Sequence, residues 1–145
     1  MRTSVHFRRP LIFGLAIACL TTSVIARQAV KKGGDPEAAK IKNPVAATPQ
    51  SIAAGKKTYD EYCAGCHAPA GAGELNVSIT EDRGLPPPPA LADEHWDYGS
   101  SDGEIFTVLM QGVAPDYIMG PWKGRLKDEE LWNVINYLKS LAKKK

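Results

Sequence analysis

Two thiols and an imidazole stand together at Cys63-Ala64-Gly65-Cys66-His67. Cysteines two residues apart, followed at once by histidine, form the attachment pattern for c-type haem. Each cysteine can add across one haem vinyl group as a thioether, and the adjacent histidine then reaches under the ring to the iron. The pattern predicts one covalent haem c, with Cys63 and Cys66 as the thioethers and His67 as the proximal ligand. A bare Cys-x-x-Cys also suits a redox dithiol or half of a zinc site. Zinc needs further ligands, and only His6 and His95 remain outside the motif. A dithiol has no need of the neighbouring histidine.

Such a motif has to be held by a helix. Thr48 is a good N-cap and Pro49 suits the first helical position. Ile52, Lys56, Tyr59 and Cys63 follow at helical spacing, so the first helix runs from Thr48 into the motif, where Gly65 lets the chain turn beneath the ring. Residues 68–100 read as mostly irregular, punctuated by Gly71, Gly73 and Gly84 and stiffened by the run Pro86 to Pro89. A proline-rich recognition ligand is the rival reading of that run, but Leu85 and Leu91 flank it as packed residues would. Ser101 and Glu104 form a capping box, Ile105, Val108 and Leu109 an apolar face, and Gly112 a stop. Residues 113–125 form a loop. A last helix spans roughly 128–142, with Asp128, Glu129 and Glu130 at its start, Lys139 near its end and Leu131, Ile135, Leu138 and Leu141 as its stripe. No alternating strand is evident, and the class is all-α.

The N-terminus predicts export. Arg2, Arg8 and Arg9 precede an apolar run from Leu11 to Leu20, and Val24-Ile25-Ala26 offers a cleavage site after Ala26. Residues 1–26 are therefore expected to be a signal peptide and the protein periplasmic. An uncleaved anchor, or a lipoprotein cut before Cys19, are the competing readings. Residues 27–47, with Gly33-Gly34, Pro36 and Pro44 and no aromatics, predict a flexible linker. The folded domain is then 48–142 and the tail 143–145 is basic.

The formal charge is +2 for the whole chain, from 18 basic and 16 acidic residues. The three arginines of residues 1–26 leave with the signal, giving −1. Residues 51–142 alone carry seven basic and fourteen acidic groups. A folded part of charge −7 lacks the basic footprint of a nucleic-acid binder, so no nucleic-acid partner is expected. The terminal lysines are most simply solvated ends; weak attraction to an anionic membrane surface or an acidic partner is their sharper reading.

Taken together, Gly55-x-x-x-Tyr59-x-x-x-Cys63-x-x-Cys66-His67 and Met119-Gly-Pro-Trp-Lys-Gly-Arg-Leu126, followed by the helix from Asp128 to Leu138, resemble the class I cytochromes c. The resemblance covers about residues 50–142. It implies a cytochrome c fold of three to five helices around one covalently bound haem, with the first and last helices crossing closely. Gly55 and Tyr59 on one helix, with Trp132 or Tyr137 on the other, are the residues for that crossing. It also implies Met119 as the distal iron ligand; here Gly120 intervenes before the proline that commonly follows that methionine directly. Met110 and His95 are the alternatives for the sixth position. Pro89-Ala90-Leu91 resembles the family's segment whose proline carbonyl accepts from the proximal histidine. Trp96, Tyr98, Trp122 and Arg125 are candidate donors to the haem propionates.

With a thioether opposite an imidazole, both axial positions are filled, the reduced iron is favoured and the potential is raised. The expected function is a soluble or loosely tethered periplasmic one-electron carrier, monomeric when soluble, that meets redox partner proteins and is not an enzyme. The alternatives are a cytochrome c subunit of a dehydrogenase or oxidase complex, or a haem sensor or enzyme with an open sixth position.

Overall fold

A computed structural model describes residues 30–73 and 78–142. The expected signal peptide, residues 1–26 with Cys19, and the tail 143–145 lie outside the described residues. The elements in chain order are a 3-10 turn at Ala38–Lys40, α1 (Pro49–Tyr62), the single turn α2 (Ala64–His67), a 3-10 turn at Pro69–Gly71, the short α3 (Ser78–Glu81), α4 (Asp102–Gln111) and α5 (Asp128–Ala142). Among the described residues there is no strand, only an isolated bridge between Lys123 and Leu126. The all-α class stands.

The helix starts follow from side-chain chemistry. The Thr48 hydroxyl accepts from the Ser51 N–H, the Ser51 hydroxyl accepts from the Thr48 N–H, and Pro49 occupies the first turn. Ser101 and Glu104 exchange the same pair of bonds at the start of α4. In both places two otherwise orphaned backbone donors are satisfied.

α5 is the spine of the core. Leu131, Trp132, Val134, Ile135, Asn136, Tyr137 and Leu138 are all buried on it. Full burial of each aliphatic side chain here contributes about 1.5–3 kcal/mol. α1 crosses α5 with Tyr59 against Tyr137, ring centroids 5.3 Å apart. Trp132 points elsewhere and stacks flat on Phe106 of α4, centroids 3.8 Å apart with planes 3° from parallel. Of the two aromatic candidates for the α1–α5 contact, Tyr137 meets Tyr59, while Trp132 ties α5 to α4.

The segment 27–47 differs from the flexible linker that its composition predicts. Over its described residues, 30–47, it is strapped to the domain. The Gly33 N–H donates to the Asp97 carbonyl at 2.7 Å, and the Asp35 N–H to the Glu104 carboxylate at 2.9 Å. Ala38 is buried beside Gly103, where a β-carbon would come within 2.0 Å of the Ala38 carbonyl oxygen. Asn43 Nδ2 donates to the Trp132 carbonyl and to Asn136 Oδ1, at 3.1 and 2.9 Å. Asn136, 6% exposed, returns bonds from its Nδ2 to the Val45 and Ala46 carbonyls and to the Ser51 hydroxyl. Glycine and proline here shape turns that a few polar side chains pin, which composition alone does not reveal.

Candidate haem site

α1 ends one residue before the motif. The Cys63 N–H still bonds the Tyr59 carbonyl at 2.8 Å, and the Cys66 and His67 N–H groups both turn back to the Cys63 carbonyl, at 3.1 and 3.0 Å. One helical turn therefore separates the two sulfurs, and both cysteines are free and half-buried. Burial pushes the Cys63 thiol up to about 11, with Cys66 adding to the rise. A thiol so placed is protonated at neutral pH, unlike the activated cysteine of a redox dithiol. No cluster of three or more histidine, cysteine or acidic residues suited to a metal ion occurs among the described residues.

His67 Nδ1 lies 3.2 Å from the Pro89 carbonyl oxygen. With the proton on Nδ1 donating there, the lone pair sits on Nε2, the ligand form of the ring. Burial lowers the imidazole's affinity for a second proton, and the Pro89 carbonyl partly opposes this. Two glycines bring Pro89 into place. The Gly71 carbonyl accepts from the Leu91 and Ala92 N–H groups at 2.8 and 3.2 Å. Gly73 has φ +80, and a β-carbon on it would meet the Ala90 nitrogen at 2.6 Å. The 71–73 backbone can thus lie directly on residues 89–92.

The chain leaves His67 under strain. Ala68 has φ 60 and ψ 162, and Ala70 has φ 56 and ψ 24. Backbone outliers of this kind cost of order 1–3 kcal/mol each and persist only where their surroundings impose them. The buried Tyr59 hydroxyl donates to the Ala68 carbonyl at 2.9 Å and lies 3.3 Å from the His67 carbonyl. Burial raises the phenol pKa well above its ordinary value, so it remains a donor.

Met119 sits in the 113–125 loop, half-buried and packed against the core, as Cys63 is. The Met119 carbonyl accepts from the Val113 N–H at 2.8 Å, and the Trp122 N–H donates to the Leu109 carbonyl at 2.8 Å. The first bond closes the loop on its own first residue, and the second ties it to α4. Gly112, at φ +71, has no room for a β-carbon, which would lie 2.6 Å from the Met119 carbonyl oxygen. Met110 lies within α4, also half-buried against the core. His95 is exposed, its backbone N–H bonded to the Asp93 carboxylate at 2.9 Å.

The four candidate propionate donors separate. The Trp96 indole N–H already donates to the Asp93 carbonyl at 3.2 Å. Tyr98 lines a cavity between the 30–47 strap and α4, together with Glu104 and Thr107. Trp122 meets Tyr62, the residue before Cys63, edge to face at 5.8 Å, and Arg125 lies over its ring at 4.3 Å. The Trp122 Nε1 is buried and has no partner among the described residues. Two half-buried free thiols, an imidazole with Nδ1 engaged and an orphaned indole donor beside the motif form a donor set that fits a covalent haem.

The sequence reading named Cys63, Cys66, His67 and Pro89 and missed three supports: the Tyr59 hydroxyl, Gly73 and the Asn43–Asn136 pair. Only Gly73 carried a local signal, as a glycine six residues after the histidine.

Residues 50–138 match the family described as cytochrome c oxidase, cbb3-type, subunit III. The chain belongs to this family. It is 31% identical over 100 residues to the cbb3-type cytochrome c oxidase subunit CcoP of Azospirillum sp. (strain B510), covering 69% of this chain and 32% of that one. It is 29% identical over 109 residues to cytochrome c4 of Thiocapsa roseopersicina, covering 70% of this chain and 53% of that one. The chain thus spans about a third to a half of these relatives' lengths. Among solved structures it resembles cytochrome cL of Methylophaga aminisulfidivorans MPT, with TM-score 0.53, 25% identity and coverage of 65% of this chain and 57% of that one. It also resembles a chain of the Kuenenia stuttgartiensis reducing HAO-like protein complex, with TM-score 0.59, 28% identity and coverage of 71% and 48%. As a member of this family the protein is a cytochrome c electron-transfer domain with a covalent c-type haem, and Cys63, Cys66 and His67 form its attachment motif. The haem, when bound, supplies reversible one-electron chemistry. Cys63 and Cys66 would tether it, and the Pro89 carbonyl would orient the His67 imidazole toward it.

Proposed function

We propose that the protein is a periplasmic one-electron carrier, not an enzyme, with His67 and Met119 as axial ligands. The observation that supports it best is the anchoring of the Met119 loop. The Val113–Met119 bond closes the loop on itself, the Trp122–Leu109 bond fastens it to α4, and Met119 packs against the core that also receives Cys63. A sulfur held this way is a fixed donor rather than a mobile surface group. Met110, inside a helix, serves the core. His95, exposed and beside Asp93, stays a surface residue. With both axial positions taken by side chains, the protein sets the potential and presents a surface for electron exchange.

The test is the visible and near-infrared spectrum of the exported protein. The oxidised form should show the weak far-red sulfur-to-iron charge-transfer band, and the reduced form the sharp bands of a low-spin c-type haem. Haem without the far-red band sinks methionine ligation. Cell fractionation with sequencing of the mature N-terminus tests the periplasmic placement: a start at Arg27 supports cleavage, and a retained Met1 supports an anchor.

A second reading is favoured by the family match and by the oxidase subunit among the relatives. In it the domain docks stably within a larger redox complex instead of diffusing between partners. Gel filtration of detergent-free extracts separates the two: a haem peak near the 15.7 kDa monomer or below supports the carrier, and a much larger one supports the subunit.

A further inference from the structure

The conformation of Ala68 is one that alanine resists and glycine enters freely. Its φ of 60 and ψ of 162 follow directly on His67, and Ala68 is only 6% exposed. Two donors reach its carbonyl: the Gly71 N–H at 3.2 Å, from within the same turn, and the Tyr59 hydroxyl at 2.9 Å, from α1. The Tyr59 hydroxyl also lies 3.3 Å from the His67 carbonyl, which the Gly73 N–H bonds at 2.9 Å. Tyr59 is itself a rigid point. It is 0% exposed, its ring is set against Tyr137, and α1 is locked on α5 at Gly55. A phenylalanine would fill the same volume, so packing alone does not require the hydroxyl.

We propose that the Tyr59 hydroxyl is a positioning group for the iron ligand. By holding the His67–Ala68 peptide in its strained turn, it fixes the angle at which the His67 imidazole meets the Pro89 carbonyl and presents Nε2. This inference rests on His67 as the proximal ligand. If Ala68 relaxes, the ring shifts against Pro89, the Nδ1–H bond weakens and the imidazole donates less electron density. Oxidised iron is then less well stabilised, and the potential rises.

The experiment uses the haem-loaded protein as Tyr59→Phe, Ala68→Gly and the double variant. Midpoint potentials come from spectroelectrochemical titration, and the paramagnetically shifted His67 ring protons from NMR of the oxidised form. Tyr59→Phe should raise the potential and displace those resonances. Ala68→Gly should leave the potential unchanged and raise the melting temperature. The double variant should return most of the way to the wild-type potential, because glycine holds the turn without help. A Tyr59→Phe protein that melts earlier with unchanged potential and resonances overturns the proposal, as does a double variant equal to the sum of the singles. Should Tyr59→Phe fail to accumulate, recovery of the double variant supports the proposal, and loss of both overturns it. A wild-type protein without a low-spin haem spectrum would fail earlier, at the ligation reading itself.

Discussion

Gly55 and Asn133 touch backbone to backbone: a β-carbon on Gly55 would fall 1.9 Å from the Asn133 carbonyl oxygen. This contact sets how closely α1 can lie on α5, and α1 ends in the haem motif. Gly55→Ala should therefore cost more than the usual overpacking penalty of about 1–3 kcal/mol, because the obstacle is backbone and cannot rotate aside. Chemical denaturation of the haem-loaded protein reads this directly. A loss below about 1 kcal/mol would mean that the crossing tolerates a wider separation.

Asn136 fastens the 30–47 strap. Its Nδ2 serves the Val45 and Ala46 carbonyls and the Ser51 hydroxyl, and its Oδ1 accepts from Asn43. Asn136→Leu takes their shared partner from these groups; the Ala46 carbonyl keeps donors in Thr48 and Ser51, and Asn43 keeps the Trp132 carbonyl, so the Val45 carbonyl loses most. At about 1–3 kcal/mol for each group left truly dry, a net loss of roughly 2–4 kcal/mol is expected. Hydrogen exchange should also quicken at Val45, whose N–H is held by the Asn43 side chain. Unchanged protection at Val45 would show that the strap is held by other contacts.

Glu104 predicts an acid-side instability. Its carboxylate accepts from the Ser101 hydroxyl, the Ser101 N–H and the Asp35 N–H, and these bonds hold its pKa below the ordinary glutamate range, against desolvation and the like charge of Asp35. A carboxyl depressed in the folded state stabilises the fold above its unfolded pKa and loses that contribution as pH falls through the folded one. Melting temperature should therefore drop below about pH 4.5. Glu104→Gln should start lower and fall less steeply over the same range. Parallel curves for the two proteins would remove Glu104 from the acid transition.

Met119→Ala and Met110→Ala should part company. The first should abolish the far-red band while Cys63 and Cys66 keep the haem attached, and should lower the potential because a soft neutral ligand favouring reduced iron is gone. The second should keep the band and lose about 2–5 kcal/mol of stability at most, with the smaller end expected for a half-buried side chain. A band lost from Met110→Ala and kept in Met119→Ala would reverse the assignment.

What the sequence made legible was local. The α1 and α4 starts are visible because Thr48-Pro49 and the Ser101–Glu104 capping box are signals complete within one turn. The haem motif spans five residues, and the α5 stripe repeats along its own helix. What was hidden depends on residues far apart in sequence. The meaning of Gly73 lies in Ala90, that of Asn43 in Asn136, 93 residues away, and that of Trp132 in Phe106. The strap was misread for the same reason: the polar side chains that fix it find their partners on α4 and α5, not within the segment. Pro89 was legible only through the family resemblance, since nothing within a proline run marks which carbonyl faces His67.

The strap also decides where a pull on the chain is felt. Eighteen residues free to extend would give the domain about 60 Å of slack. Folded down from Val30 to Ala47, they give almost none. Tension on whatever precedes Val30 reaches the Gly33–Asp97 and Asp35–Glu104 bonds first, on the α4 side of the molecule. The helix that carries the haem motif is loaded only after those bonds and the Asn43–Asn136 pair have given way. A pull from that side is thus felt by the strap and by the segment around Asp97 before it is felt by α1.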